Sequence, residues 1–262
     1  MIPGPLSRCT LRLALRLERY APLGVDDKKV LDNAFRGLRS YPPGYNLARQ
    51  SEPVERIFVI LEGFACRYKM LRDGRRQITA YMLPGDLCDT RTFSLPYLDH
   101  SIAAISHVQA APLTEESAQR LEAWPGLSLA LARHSMVLQA IARQWQVNIG
   151  HRTSFERSSH LLCELFERLD TVGLTQDYTC EVPLTQSAIA DTLALSAVHV
   201  NRTLMELRRA GLVTFRNKQL VIHDYPRLRE AAGFDAGYLG GSGAVMHAVA
   251  VPSIRVGEVL AE

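Results

Sequence analysis

The period of the sequence changes once, at Trp124-Pro125-Gly126, and that change sets a strand-rich part before a helical part. Across residues 40–113 turn formers recur at short intervals, in Tyr41-Pro42-Pro43-Gly44, Ser51-Glu52-Pro53, Glu62-Gly63, Arg72-Asp73-Gly74-Arg75 and Leu83-Pro84-Gly85-Asp86. The runs 56–61, 64–69 and 77–81 between them lean toward strand, and Asp73-Gly74 is the dipeptide that supplies the positive φ angles of a tight hairpin. Residues 101–111 add one or two closing strands, and residues 112–116 read as a turn into a short helix. Many short strands at this spacing make a barrel or a sandwich.

Past residue 126, Leu127, Leu131, His134, Leu138, Ile141, Trp145 and Asn148 fall at alternating steps of four and three, the spacing of a coiled-coil seam. A helix over 127–155 would be roughly 43 Å long, too long for one packing element of a small core. It holds no Asp or Glu, so it lacks ion pairs of its own and needs a broad buried face. That face is covered either by a second copy of the chain or by the chain's own strand domain. The first reading makes Leu131, His134, Leu138, Ile141, Trp145 and Asn148 the dimer interface. The pattern continues helical over 151–171, with Leu161, Leu162, Leu165, Phe166 and Leu169 on one side and Gly173 as the stop. A domain boundary is expected near 150–158, and the glycine-rich tail from Gly233 onward is expected to be weakly ordered.

Charge and cysteine usage narrow the class. The 262 residues carry a net charge of only +3, so a nucleic-acid surface must come from local clustering. The five cysteines, Cys9, Cys66, Cys88, Cys163 and Cys180, contain no CxxC pair and are odd in number, which argues for a reducing, cytoplasmic setting. The apolar run 11–17 is interrupted by Arg12 and Arg16 and cannot serve as the core of a signal peptide. No stretch of 18 consecutive apolar residues exists, so no membrane partner is expected. None of the eight histidines forms an HxH or HExxH pair, and residues 40–113 lack the histidine and glutamate set of a metal-holding cupin barrel. No metal, other cofactor or enzymatic activity is therefore expected. Cys180 has no cation among its neighbours 178–181 and reads as an unreactive thiol.

The segment 182–222 carries the functional signal. Thr185 can cap a short helix whose buried stripe is Ile189, Ala190 and Leu193, and Ala194-Leu195 makes a tight connection. Ser196 can cap a second helix over 197–210, with Gly211 at the left-handed stop. Two helices so joined match helix-turn-helix geometry. Val200, Leu204 and Leu207 face inward, leaving Ala197, Val198, His199, Asn201, Arg202 and Met205 nearer the outer face. Two strand-like runs around 216–218 then read as a wing. Over 185–218 five basic residues (Arg202, Arg208, Arg209, Arg216, Lys218) stand against Asp191 and Glu206, so this stretch alone holds +3. Arg and Asn read guanine and adenine edges bidentately, while Thr185, Gln186 and the wing cations suit phosphates. The other reading of the same pattern is a small helical domain with a solvated basic face, docking on a protein partner.

These residues resemble the Crp/Fnr family of bacterial transcription regulators over about residues 17–238. The most specific similarity runs from Leu184-Thr185-Gln186 through Ile189-Ala190 and Leu195-Ser196 to Val200-Asn201-Arg202-Thr203-Leu204, Leu207-Arg208 and Gly211-Leu212-Val213. Pro43-Gly44, Leu61-Glu62-Gly63, Asp73-Gly74-Arg75-Arg76-Gln77-Ile78 and Leu83-Pro84-Gly85-Asp86 look like the successive turns of that family's β-roll. The resemblance implies an α+β chain: a double-stranded β-helix (a cyclic-nucleotide-binding-like β-roll) over 17–123, a dimerisation helix over 124–153, a winged helix-turn-helix over 154–232 and a tail over 233–262. It also implies a homodimer on a pseudo-palindromic operator in double-stranded DNA, RNA polymerase as partner, and a roll open to a small-molecule effector. The DNA-binding set is then Thr185, Gln186, Ser196, Ala197, Val198, His199, Asn201, Arg202, Arg208, Arg216 and Lys218.

The chain departs from the family's ligand patterns. Members that bind cyclic nucleotides use a Gly-Glu pair and an Arg-Ser or Arg-Thr pair after the Pro-Gly-Asp turn, but here residues 92–119 hold no Arg or Lys and 87–114 hold no Glu. A buried cyclic phosphate would lack its charge-assisted partner, so cyclic AMP is not expected as effector. Members with an oxygen-sensing iron-sulfur cluster carry closely spaced N-terminal cysteines, whereas Cys9 stands alone before Cys66. Val198 occupies the place of a cytosine-reading glutamate, and Arg202 keeps that of the guanine-reading arginine.

Overall fold

The computed structural model describes residues 8–35, 37–88 and 96–240. Residues 89–95, on which part of the cyclic-nucleotide comparison falls, the Cys9 side chain and the tail beyond Gly240 lie outside the described residues. The chain opens with helices α1 (Arg8–Glu18) and α2 (Val25–Ala34). Leu13, Ala14 and Leu17 of α1 are fully buried, and the arginines that interrupt its apolar run have distant partners: Arg12 donates to the Leu61 carbonyl at 2.6 Å and Arg16 pairs with Asp86 at 3.1 Å. The run 11–17 is thus a core helix.

The strand-rich part is a roll of two antiparallel sheets. Strands β1 (Arg39–Tyr41), β2 (Asn46–Ala48), β3 (Ile57–Glu62), β4 (Ala65–Met70), β5 (Arg76–Met82), β6 (Ser101–Ala104) and β7 (Val108–Leu113) order as β1-β7-β3 and β2-β6-β4-β5. Alternation sends Tyr41, Phe58, Ile60, Met82, Ile102 and Val108 into one apolar cluster inside the roll. Ile57, Val59 and Leu61 point the other way and join Leu13 and Leu17 of α1 in the larger core, which is why β3 reads as a continuous apolar run. The β4–β5 connection is wider than the expected two-residue hairpin, since Met70 pairs with Arg76 across a five-residue loop in which only Gly74 has positive φ (84°). Gly85 (φ 89°) in the following turn is required, because a Cβ there would come within 2.7 Å of the Arg12 carbonyl oxygen.

Helix α3 (Glu115–Ala123), capped by Thr114, leads into α4 (Pro125–His151), about 40 Å long by its 27 residues. The long helix does not continue through 155. Arg152 turns extended (ψ 145°), and Thr153 and Glu156 form a reciprocal capping box that starts α5 (Ser154–Asp170). The seam on α4 turns inward. Leu131, His134, Ile141, Trp145 and Asn148 are buried and Leu138 half-buried within the single chain, among α1, β5 and α5. This corrects the expectation that Leu131, His134, Leu138, Ile141, Trp145 and Asn148 face a second copy. Steps of four and three mark a buried stripe, and here the chain's own domains bury it.

The C-terminal part follows as β8 (Thr175–Gln176), β9 (Thr179–Glu181), α6 (Gln186–Leu193), α7 (Ala197–Arg209), β10 (Val213–Arg216), β11 (Gln219–Ile222) and α8 (Tyr225–Ala232). The wing strands belong to a four-stranded sheet of order β10-β11-β9-β8, whose strands β8 and β9 neither pattern nor resemblance had suggested. Residues 233–240 are not a loose tail. Gly233 closes α8 in the left-handed conformation, Phe234 and Leu239 are buried, and Ala236–Leu239 forms a 3-10 turn against α4 and α5.

Candidate nucleic-acid interface

Local hydrogen bonding fixes the two helices of the motif. The Thr185 hydroxyl accepts from the Ala188 amide at 3.1 Å and the Ser196 hydroxyl from the His199 amide at 3.2 Å, so both serve as N-caps at exposed helix starts. Between them Ala194 adopts φ 52°, ψ 47°, a left-handed corner that Arg157 supports by donating to the Leu193 carbonyl at 2.8 Å. Val200, Thr203 and Leu207 of α7 are buried and Leu204 half-buried, which anchors the opposite face outward.

That outward face carries a continuous stripe. Val198, Arg202, Met205 and Arg209 are exposed and fall at steps of four, three and four, flanked on one side by Ala197, Asn201 and Arg208. Arg209 belongs to this stripe, although it is not among the DNA-binding residues that the resemblance implies. Its spacing from Arg202 was the available signal. His199 departs from the expectation: it is half-buried, and its ring lies 3.0 Å from the Ser154 hydroxyl at the start of α5. It braces α7 instead of joining the stripe. Thr185, Gln186 and Ser196 are exposed at the helix starts, and Arg216 is exposed at the end of β10.

The wing turn is two residues long. Asn217 (φ 52°) and Lys218 (φ 64°) are both left-handed, and Arg216 pairs with Gln219 across them. Exposed Lys218 also lines a cleft of about 420 Å³ between wing and roll, with Arg12, Glu62 and His107. Among the described residues, none of Arg202, Arg208, Arg209, Arg216 and Lys218 has a carboxylate partner. Their charge is left for an external anion. Cys180 is buried on β9, where burial pushes its thiol up to about 12, and it takes no part in this surface.

The motif is held against the roll through α6. Arg76 of β5 pairs with Asp191 at 2.7 Å, Gln77 donates to the Thr192 carbonyl at 3.1 Å, and the Tyr81 hydroxyl lies 2.5 Å from that of Thr192. Residues 38–122 match the cyclic nucleotide-binding domain and residues 156–231 match the Crp-like helix-turn-helix domain. The chain belongs to the Crp/Fnr family of transcription regulators. Among curated relatives of this regulator, it is 28% identical to the transcriptional activatory protein AadR of Rhodopseudomonas palustris over 234 residues, covering 87% of this chain and 92% of that one. It is 24% identical to the transcriptional activator FnrL of Cereibacter sphaeroides over 205 residues, 76% and 81% of the two chains. Among solved structures, that of FixK2 from Bradyrhizobium japonicum is similar with a TM-score of 0.68 and 25% identity, over 76% of this regulator and 98% of that chain. The regulator therefore carries a helix-turn-helix DNA-binding domain behind a cyclic-nucleotide-binding-like roll. No helix among its described residues is long and apolar enough to cross a membrane.

Proposed function

We propose that this regulator is a cytoplasmic homodimer that reads a pseudo-palindromic operator, with the two α7 helices entering successive major grooves about 34 Å apart. The observation that carries the reading is the exposed stripe Val198, Arg202, Met205 and Arg209, whose two guanidinium groups have no carboxylate partner among the described residues. Arg202, near the start of the helix, reads guanine. Asn201 beside it suits adenine, and Val198 a thymine methyl. Thr185, Gln186, Ser196, Arg208, Arg216 and Lys218 hold phosphates and set the register.

The second copy docks on the side of α4 that the chain leaves open. Leu129, Met136 and Val147 are exposed there, with Ala132 small enough to let two helices approach. Cyclic AMP and an iron-sulfur cluster are not part of the proposed mechanism. The apolar side chains Tyr41, Phe58, Ile60 and Met82 fill the space between the roll's sheets, and Cys66, Cys88, Cys163 and Cys180 are buried on separate elements. Control of transcription from the operator brings RNA polymerase as the further partner.

The test is fluorescence anisotropy of a labelled promoter duplex titrated with ligand-free protein at several salt concentrations. Two chains per duplex and a steep fall of affinity with salt are expected. One chain per duplex, or binding indifferent to salt, would overturn the proposal.

A further inference from the structure

A chain of buried charges links five parts of the fold and ends on the segment that sequence composition marked as loose. Asp86, in the Pro-Gly-Asp turn of the roll, is 3% exposed and accepts from the Leu83 amide at 2.7 Å, Arg168 Nη2 at 2.6 Å and pairs with Arg16 Nε at 3.1 Å. Arg168 lies on α5, in the DNA-binding domain, and also donates to the Tyr81 carbonyl of β5 at 2.8 Å and to Glu164 at 3.4 Å. Glu164 has no exposed surface. It accepts from the Trp145 indole of α4 at 3.1 Å and from the Tyr238 hydroxyl at 2.8 Å.

Tyr238 is set in place from both sides. Its ring stacks on His160 of α5 at 5.9 Å between centroids, and Gly240 two residues on passes so close to Tyr20 that a Cβ would stand 2.8 Å from that ring. The segment 234–240 lies beyond the matched helix-turn-helix domain, which ends at 231. Buried ion pairs add little net stability, but they penalise every arrangement in which one member is left unpaired. This network therefore specifies how α5 sits on the roll. With α5 so placed, the stripe on α7 remains open to solvent.

We propose that residues 234–240 are a strap that positions the reading head: Tyr238, acting through Glu164 and Arg168 on Asp86, holds α5 against the roll so that both α7 helices keep their spacing. The inference rests on the dimeric operator reading above. A strap of this kind acts only where two heads must engage at once, because a loosened head still docks on a single half-site but gives up the benefit of simultaneous engagement. Tyr238 is thus a positioning residue.

The experiment compares full-length protein with three variants: Tyr238→Phe, a truncation after Gly233, and a truncation after Gly240 that keeps the strap. Each is assayed on a duplex with two half-sites and on one with a single half-site, alongside hydrogen exchange across residues 81–88 and 160–170. Tyr238→Phe should weaken two-site binding about threefold to tenfold, leave half-site binding unchanged, and speed exchange at both segments. Truncation after Gly233 should do the same more strongly, and truncation after Gly240 should match the full chain. Two-site affinity and exchange left unchanged by Tyr238→Phe and by loss of 234–240 would overturn the strap. If the Gly233 truncation does not fold, Tyr238→Phe decides alone. Should the full-length protein show no preference for the two-site duplex, the operator reading fails, and unchanged exchange in Tyr238→Phe would separately reject the strap.

Discussion

Arg202 and Arg209 lie seven residues apart on one line of α7, both exposed and neither paired with a carboxylate among the described residues. Their positions along the helix predict different roles. Residues near the start of a recognition helix reach base edges, and those near its end reach backbone. Arg202→Ala should cost about 1 to 3 kcal/mol on the specific site and relax base preference, whereas Arg209→Ala and Lys218→Ala should weaken all DNA similarly and reduce the salt slope by about 1 each. Binding of each variant to operator and random duplexes checks this. Equal losses on both duplexes for Arg202→Ala would remove it from the reading face.

The dimer face is tested by charge. Met136 is 66% exposed on α4, while Leu131 on the opposite side is 5% exposed. Met136→Glu should leave a folded monomer by sedimentation, with two-site DNA binding lost by about tenfold or more. Leu131→Glu should instead lower the melting temperature, because it buries a charge in the chain's own core. If Met136→Glu remains a dimer, the second copy sits elsewhere.

Ala194 occupies the left-handed corner between α6 and α7 at φ 52°. An L-residue there costs roughly 1 to 2 kcal/mol; glycine removes that strain, but part of the gain is offset because glycine loses more freedom on folding. Ala194→Gly should therefore stabilise the protein by about 0.5 kcal/mol, read as a higher urea midpoint, and Ala194→Val should lower that midpoint.

Two buried histidines set an acid limit. Burial pushes His134 down to about 4, and burial with Arg152 nearby pushes His160 down to about 3. The fold holds both neutral while the unfolded chain protonates them near 6.5, so their contribution is complete above that pH and is lost as pH falls below it. For His134 alone the loss at pH 4 is roughly 3 kcal/mol. Urea unfolding between pH 7 and 4.5 should show stability falling steadily below pH 6.5. A flat profile would mean that these rings are protonated in the fold.

What could be read from the sequence was local chemistry. Thr185, Ser196 and Gly211 punctuate the motif through hydrogen bonds and backbone angles reaching only a few residues, so α6, α7 and the wing fell where their spacing put them. The burial of the α4 stripe was legible too, but a stripe does not say whose surface covers it. The open side, with Gln139 and Arg143 among Leu129, Met136 and Val147, resembles an ordinary solvated face. Long-range pairing was hidden. Arg16 looked like an interruption because its partner Asp86 is 70 residues away, and the glycines of 233–240 masked the anchors Phe234, Tyr238 and Leu239. The capping box Thr153–Glu156 was present in the sequence and would have placed the break in the long helix.

The most direct test of the central claim is selection of binding sites from a random DNA pool by the purified, ligand-free protein. The account predicts a two-fold symmetric motif with half-sites about one helical turn apart, recovered without any added effector. A pool that remains unenriched, or that yields only a single unrepeated half-site, would contradict a dimer whose reading heads are already set.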